Sequence, residues 1–212
     1  MKMKKPYVVV NCASSIDGKI ALPGKKPLKI SNEEDVARVH KLRNECDAIL
    51  VGIETILADN PKLTVKAKYV DKVRQPIRIV LDSELRIPED AEVMKPNAKT
   101  IIVTTCKEFK KGHVEVIKCG NDKVDLKRLM EILYDRGIKK LLVEGGSTVI
   151  WEFLENKLVD EMMVFYSPII IGNNAPTIAG GEGAKSEEEL IKMEIKSIER
   201  IGNGCLVKFI PK

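Results

Sequence analysis

The chain has 212 residues; 44% are hydrophobic, 32% charged and only 4% aromatic. That length suits one compact domain with a core of its own, and the composition excludes a disordered or fibrous polypeptide. With 36 basic and 31 acidic residues the formal charge is +5, yet no basic block with interleaved aromatics marks a nucleic-acid binder.

The basic start, Met1 to Pro6, lacks the apolar stretch and cleavage site of a signal peptide, so a cytoplasmic location is expected. Tyr7 to Ala13 then reads as a buried strand, followed by a Gly/Pro/Lys loop from Leu22 to Lys29. Ser31-Asn32-Glu33-Glu34 is a capping-box start, and its helix should run to about Asn44 with a core stripe of Val36, Val39, Leu42 and Cys46. His40 and Arg43 sit on a neighbouring face. Ala48 to Ile53, Ile77 to Leu81, Thr100 to Thr104 and Val114 to Ile117 are further strands. Asp125 caps a helix with an apolar face at Leu126, Leu129, Met130 and Leu133, and Gly137 stops it. Lys140 to Glu144 is a strand leading into Gly145-Gly146-Ser147 and a helix through Asn156, lined by Ile150, Trp151, Leu154 and Leu158. Glu161 to Tyr166, Pro168 to Ile171, Glu194 to Glu199 and Leu206 to Ile210 read as strands joined by Gly/Asn/Pro loops. Strands alternate with helices first and dominate later. That order implies an α/β fold with a mostly parallel sheet and antiparallel strands added at the C-terminal end. No run of apolar residues approaches a membrane span.

The five cysteines are odd in number, widely spaced and never in a C-x-x-C pair, so reduced thiols are expected rather than a disulfide framework or a zinc site. The two histidines are far apart, and no G-x-S-x-G or P-loop occurs, so nucleophilic and Walker-type chemistry are unsupported. The strongest local signal is Leu141-Leu142-Val143-Glu144-Gly145-Gly146-Ser147. A strand ends, two glycines admit close backbone approach, and a helix N-terminus offers free N–H groups to an anion. A steric reason for the Gly-Gly turn is equally open. Glu144 at that strand end is either a ligand contact or a helix-dipole partner. Thr55 and Asp59 share a face if a short helix follows Gly52, and Asn60-Pro61 would end it; a plain cap and turn fits as well. Asn11, Asp17-Gly18 and Asp82-Ser83 also lie at strand ends, where ordinary turns would suffice.

Taken together, these stretches resemble the reductase family of riboflavin biosynthesis. The matching motifs are Ser15-Ile16-Asp17-Gly18-Lys19-Ile20-Ala21, Leu42-Arg43 with Asp47 to Gly52, Thr55 with Asp59-Asn60-Pro61-Lys62-Leu63-Thr64, Leu81-Asp82-Ser83, Val143 to Ser147, and Ser167-Pro168. They span almost the whole chain. The resemblance implies a dihydrofolate-reductase-like fold over residues 1–212 as a single reductase domain. The bacterial zinc-deaminase domain is not expected, because the chain is read as lacking both H-x-E and P-C-x-x-C and is too short for both domains. The implied reaction reduces 2,5-diamino-6-ribosylamino-4(3H)-pyrimidinone 5′-phosphate to its ribitylamino form, with NADPH, or NADH, as donor and no metal. By resemblance, Thr55, Asp59, Ser83, Thr104, Gly145, Gly146 and Ser147 contact the cofactor, with Ser14 and Lys29 on its nicotinamide side. Arg43, Leu63, Lys66 and Glu144 face the substrate, and Asn11 and Glu144 are the candidate catalytic residues. The expected assembly is a homodimer without nucleic-acid or membrane partners. The alternatives are a dihydrofolate-type reductase on the same fold and a nucleotide-binding regulatory module that does not react.

Overall fold

The computed structural model describes residues 3–26 and 28–212. The basic start and the Leu22–Lys29 loop therefore lie in part, at Met1, Lys2 and Pro27, outside the described residues. In chain order the elements are β1 (Tyr7–Ser15), α1 (Glu33–Glu45), β2 (Ala48–Gly52), α2 (Ile53–Asp59), β3 (Ile77–Leu81), β4 (Thr100–Thr104) and β5 (Phe109–Lys111). There follow β6 (Val114–Lys118), α3 (Leu126–Asp135), β7 (Lys140–Val143), α4 (Ser147–Glu155), β8 (Glu161–Ser167), β9 (Met193–Ile201) and β10 (Gly204–Pro211). Among the described residues no helix is long and apolar enough to cross a membrane. The chain forms two compact units, one of His40–Val143 with the residues up to Tyr7, the other of Val8–Val39 and Glu144–Lys212.

In the first unit the strands run in the order β5-β6-β4-β3-β2-β7. All neighbours are parallel except β5 with β6. Fully buried strands carry near-continuous aliphatic sequence, and β2 (AILVG), β4 (TIIVT) and β7 (KLLV) do so. The register pairs Gly52 with Leu81 and Leu81 with Val103, so the carboxyl ends of β2, β3 and β4 open on one edge. At the other edge the Asp47 carboxylate accepts the Lys139 and Lys140 N–H groups at 2.8 and 2.9 Å, tying the start of β7 to the residue before β2. Arg78 in β3 is fully buried. It donates to the Lys95 and Ala98 carbonyls at 2.7 and 2.6 Å and so anchors the segment that leads into β4. Helix α3 forms as its sequence predicts: the Asp125 carboxylate accepts the Arg128 N–H at 3.0 Å, the four predicted apolar residues are buried, and Gly137 takes φ +85° after the last turn.

In the second unit the order is β1-β8-β10-β9, with β1 parallel to β8 and the other pairs antiparallel. The mostly parallel arrangement with antiparallel C-terminal strands is the one the sequence implies. Three local expectations need correction, and one strand is not expected at all. Pro168 to Ile171 forms no strand, because the turn after β1 takes its backbone groups: the Ile16 N–H donates to the Ile169 carbonyl, and the Asp17 carboxylate accepts from Ile171 and Gly172 at 3.1 and 2.7 Å. Helix α4 buries Val149, Ile150 and Phe153, while Trp151 and Leu154 are only half-buried, so its core face is rotated from the predicted one. The cap of α1 is Asn32, whose Oδ1 accepts the Asp35 N–H at 2.8 Å, and α1 buries Asp35, His40 and Leu42 while leaving Val36 and Val39 half-buried. Strand β5 (FKK) is exposed along its length and has no apolar pattern that could announce it.

Candidate functional site

Ligands in open α/β sheets gather at the carboxyl ends of the strands. In the first unit, Gly52 opens α2 and Asn60 closes it in the left-handed region, its N–H on the Ile56 carbonyl at 3.0 Å. Thr55 and Asp59 therefore lie one helical turn apart on one face, half-buried and exposed respectively. After β3, Asp82 is fully buried. Its Oδ2 accepts the Ile87 N–H at 2.8 Å, whereas Oδ1 has no hydrogen-bond partner among the described residues. An unmet acceptor of this kind costs about 1–3 kcal/mol and marks a place for a donor. The adjacent Ser83 carbonyl accepts the Thr104 and Thr105 hydroxyls at 2.8 and 2.9 Å and the Cys106 thiol at 3.3 Å. The buried Thr104 hydroxyl is thus engaged in holding the backbone of Ser83.

The segment after α2 is held by α1. Arg43 Nη1 donates to the Thr64 carbonyl at 3.2 Å, and the Lys66 N–H points at His40 Nδ1 at 3.4 Å. The His40 ring stacks on Tyr69 at 4.6 Å. Gln75 clasps both backbone groups of Val65 at 2.9 Å. Leu63 is buried with φ +48°, and the Lys66 side chain is exposed.

In the second unit, Gly145 takes φ +117°, which an L side chain avoids, and a Cβ there would meet no atom within 4 Å. Gly146 is the N-cap of α4 and makes no side-chain cap hydrogen bond. The first turn of α4 therefore offers its N–H groups and positive dipole end to an anion, and these glycines fit a dinucleotide pyrophosphate. Glu144 is half-buried and Lys29 exposed. Ser14 is fully buried, its hydroxyl donating to the Ser15 carbonyl at 2.9 Å. Burial pushes the Cys12 thiol up to about 12, so it is neither a thiolate nor a ready acid at neutral pH. Asn11 does not end a strand as expected: β1 runs on to Ser15 and places it mid-strand, 6% exposed, with its Oδ1 accepting Arg38 Nη2 at 2.8 Å.

Asp35 and Arg38 are not singled out in the sequence, where they look like an ordinary exposed pair at helical spacing, and Asp82 is noted there as a turn residue within Leu81-Asp82-Ser83. Against the expectation of no H-x-E, His113-Val114-Glu115 has that spacing, though no P-C-x-x-C accompanies it. The His113 ring lies 2.8 Å from the Met94 carbonyl, and Glu115 pairs with Arg136 at 2.9 Å. Among the described residues no three His, Cys, Asp or Glu side chains gather to hold a metal ion, and all five cysteines are free.

A family model described as the RibD C-terminal domain matches residues 6–207. A relative from Archaeoglobus fulgidus, named 2,5-diamino-6-ribosylamino-4(3H)-pyrimidinone 5′-phosphate reductase, is 42% identical over 96% of this chain and 97% of its own length. Among solved structures, a deaminase/reductase from Thermotoga maritima is 31% identical with a TM-score of 0.84, covering 99% of this chain and 57% of the other. Dihydrofolate reductase from Enterococcus faecalis, 11% identical with a TM-score of 0.52 over 97% of this chain and 96% of its own, shares the fold alone.

Proposed function

The chain belongs to the RibD C-terminal domain family, and on that premise we propose that it reduces 2,5-diamino-6-ribosylamino-4(3H)-pyrimidinone 5′-phosphate to the ribitylamino compound of riboflavin biosynthesis. The observation that carries this reading is the 42% identity, sustained over nearly the full length of both proteins, to the reductase of that name. A reduced nicotinamide cofactor, NADPH in this proposal, supplies the hydride. The ribosylamine opens to a C1′=N imine; C1′ accepts the hydride, the nitrogen takes a proton, and a CH2–NH linkage results. The protein has to bind, orient and exclude water.

In this reading the N-terminal turn of α4, with Gly145, Gly146 and Ser147, holds the pyrophosphate. Thr55, Asp59 and Ser83 hold the adenosine side, and Thr104 acts by fixing Ser83. Ser14 and Lys29 are assigned to the nicotinamide side. The substrate phosphate falls to Arg43 and Lys66, because guanidinium and ammonium groups pair with phosphate oxygens. Leu63 lines the pocket wall, and Asn11 and Glu144 address the reacting end. One reductase domain over residues 1–212, working as a cytoplasmic homodimer, completes the proposal.

The test is NADPH oxidation by the purified chain with and without the ribosylamino substrate, and with dihydrofolate as control. Oxidation that needs the ribosylamino compound supports the reading. Turnover of dihydrofolate instead, or binding of NADPH with no turnover of either, rejects it.

A further inference from the structure

We propose that Arg38 is a positioning residue that locks the Asn11 side-chain amide with its NH2 group offered to the substrate; this rests on the reductase reading above. Asn11 lies on β1 opposite Met163 of β8. A guanidinium carries five donors and no acceptor, so whatever faces it must accept. With Arg38 Nη2 2.8 Å from Asn11 Oδ1, the amide can present only its oxygen to Arg38. The Nδ2 donors then point away, and they meet no acceptor among the described residues.

The guanidinium is itself fixed. Its Nε and Nη2 lie 2.8 and 2.7 Å from Asp35 Oδ1, and Nη1 reaches the Met163 sulfur at 3.7 Å. Asp35 is 1% exposed, and its other oxygen accepts the Ser31 hydroxyl at 2.5 Å. Asn32 caps the helix at the same residue by accepting the Asp35 N–H. Ser31, Asp35, Arg38 and Asn11 thus form one chain of charge-assisted hydrogen bonds running from the start of α1 to β1. Asp35 neutralises Arg38, so the cation is not available as a phosphate ligand. Its consequence is orientational. Asn11 recognises an acceptor, such as a ring carbonyl, a hydroxyl oxygen or the imine nitrogen, and does not donate a proton to it outright, because a carboxamide is not an acid at neutral pH.

The experiment compares the purified full chain with Arg38→Lys, Asn11→Leu and the double variant, measuring kcat and KM for the ribosylamino substrate and for NADPH. Arg38→Lys keeps the buried Asp35 paired and so keeps the fold, but loses the fork that reaches both oxygens. The expected result is about a tenfold fall in kcat with KM for NADPH unchanged, and no further loss when Arg38→Lys is added to Asn11→Leu. Losses that multiply in the double variant, or an unchanged kcat in Arg38→Lys, overturn the proposal. A second readout is independent of turnover: the 15N side-chain amide signals of Asn11, identified by their disappearance in Asn11→Leu, should shift in Arg38→Lys. Unmoved signals overturn the positioning role, whereas a wild-type chain that leaves the substrate unreduced overturns the reductase reading instead.

Discussion

Gly181→Ala tests how closely the loop before β9 sits on the helix that opens the proposed cofactor site. A Cβ at Gly181 would lie 2.6 Å from Trp151 Cδ1 and 3.1 Å from Cγ, whereas carbon atoms rest at about 3.5–4.0 Å, so the ring must retreat by about 1 Å. Gly181 also has φ +98°, which adds about 1–3 kcal/mol for an L residue. Overpacking of this kind adds a further 1–3 kcal/mol or so, giving about 2–6 kcal/mol in all. The neighbouring Gly180 N–H donates to the Ser147 carbonyl at 3.0 Å, so the strain falls directly on the first turn of α4. Trp151 is the only tryptophan, which makes its emission a local reporter. The expected outcome is a red-shifted emission with greater access to acrylamide, whether the segment opens locally or the whole chain melts earlier. Gly183→Ala is the control, since φ is +71° there but a Cβ meets nothing within 4 Å. It should carry the backbone cost and leave the emission alone. Equal emission, quenching and melting temperature in wild type and Gly181→Ala would refute the contact.

Gly146→Asp should separate folding from binding. Gly146 already has the extended N-cap geometry of α4, so an Asp carboxylate can accept from the first turn and add a few tenths of a kcal/mol to stability. The same carboxylate occupies and repels the anion site, and NADPH affinity, followed by quenching of Trp151, should fall at least tenfold; unchanged affinity in the folded variant counts against the site. For Asp17, the Ser15 hydroxyl and the Gly172 and Ile171 N–H groups hold the carboxyl at about 2, below its ordinary value. Its contribution is therefore complete above that ordinary value and is lost as pH falls through about 2. The melting-temperature gap between wild type and Asp17→Asn should close from pH 4 to pH 2, and a gap that stays constant would refute the clasp. Phe153→Ala should cost about 3–5 kcal/mol and Leu154→Ala distinctly less, as chemical denaturation would read; equal losses would restore the core face expected from sequence.

The parallel strands are legible because burial on both faces demands unbroken aliphatic runs, and a run such as Ile101-Ile102-Val103 has few other uses. The same reasoning misreads Ile169-Ile170-Ile171. Three isoleucines suggest a strand, yet Ile170 is 77% exposed, and what decides the segment is that Asp17 and the Ile16 N–H claim its backbone. On α4, three- and four-residue steps from Ile150 fit either Leu154 or Phe153, and only packing chooses between them. Strand β5 is held by backbone pairing with β6 and leaves no periodic trace.

For the candidate site, the sequence marks which strand ends carry polar residues but not what each polar atom is already bonded to. Thr104, Ser14 and His40 all look available from their residue types. In the fold, Thr104 holds a carbonyl, Ser14 is spent on its neighbour, and His40 faces the Lys66 backbone. The groups left with unused capacity are others: Asp82 Oδ1, the Asn11 amide NH2, whose neighbouring oxygen is taken by Arg38, and the N–H groups at the start of α4. Of these, only the last follows from local sequence, since the two glycines make the turn. Asp82 is buried with one oxygen on the Ile87 N–H and the other without a partner among the described residues, and the Asn11 oxygen is bonded by a residue twenty-seven positions away. Both are consequences of tertiary geometry acting on ordinary side chains. A binding site in this chain is therefore better sought in unsatisfied hydrogen-bonding capacity than in polar residue types alone.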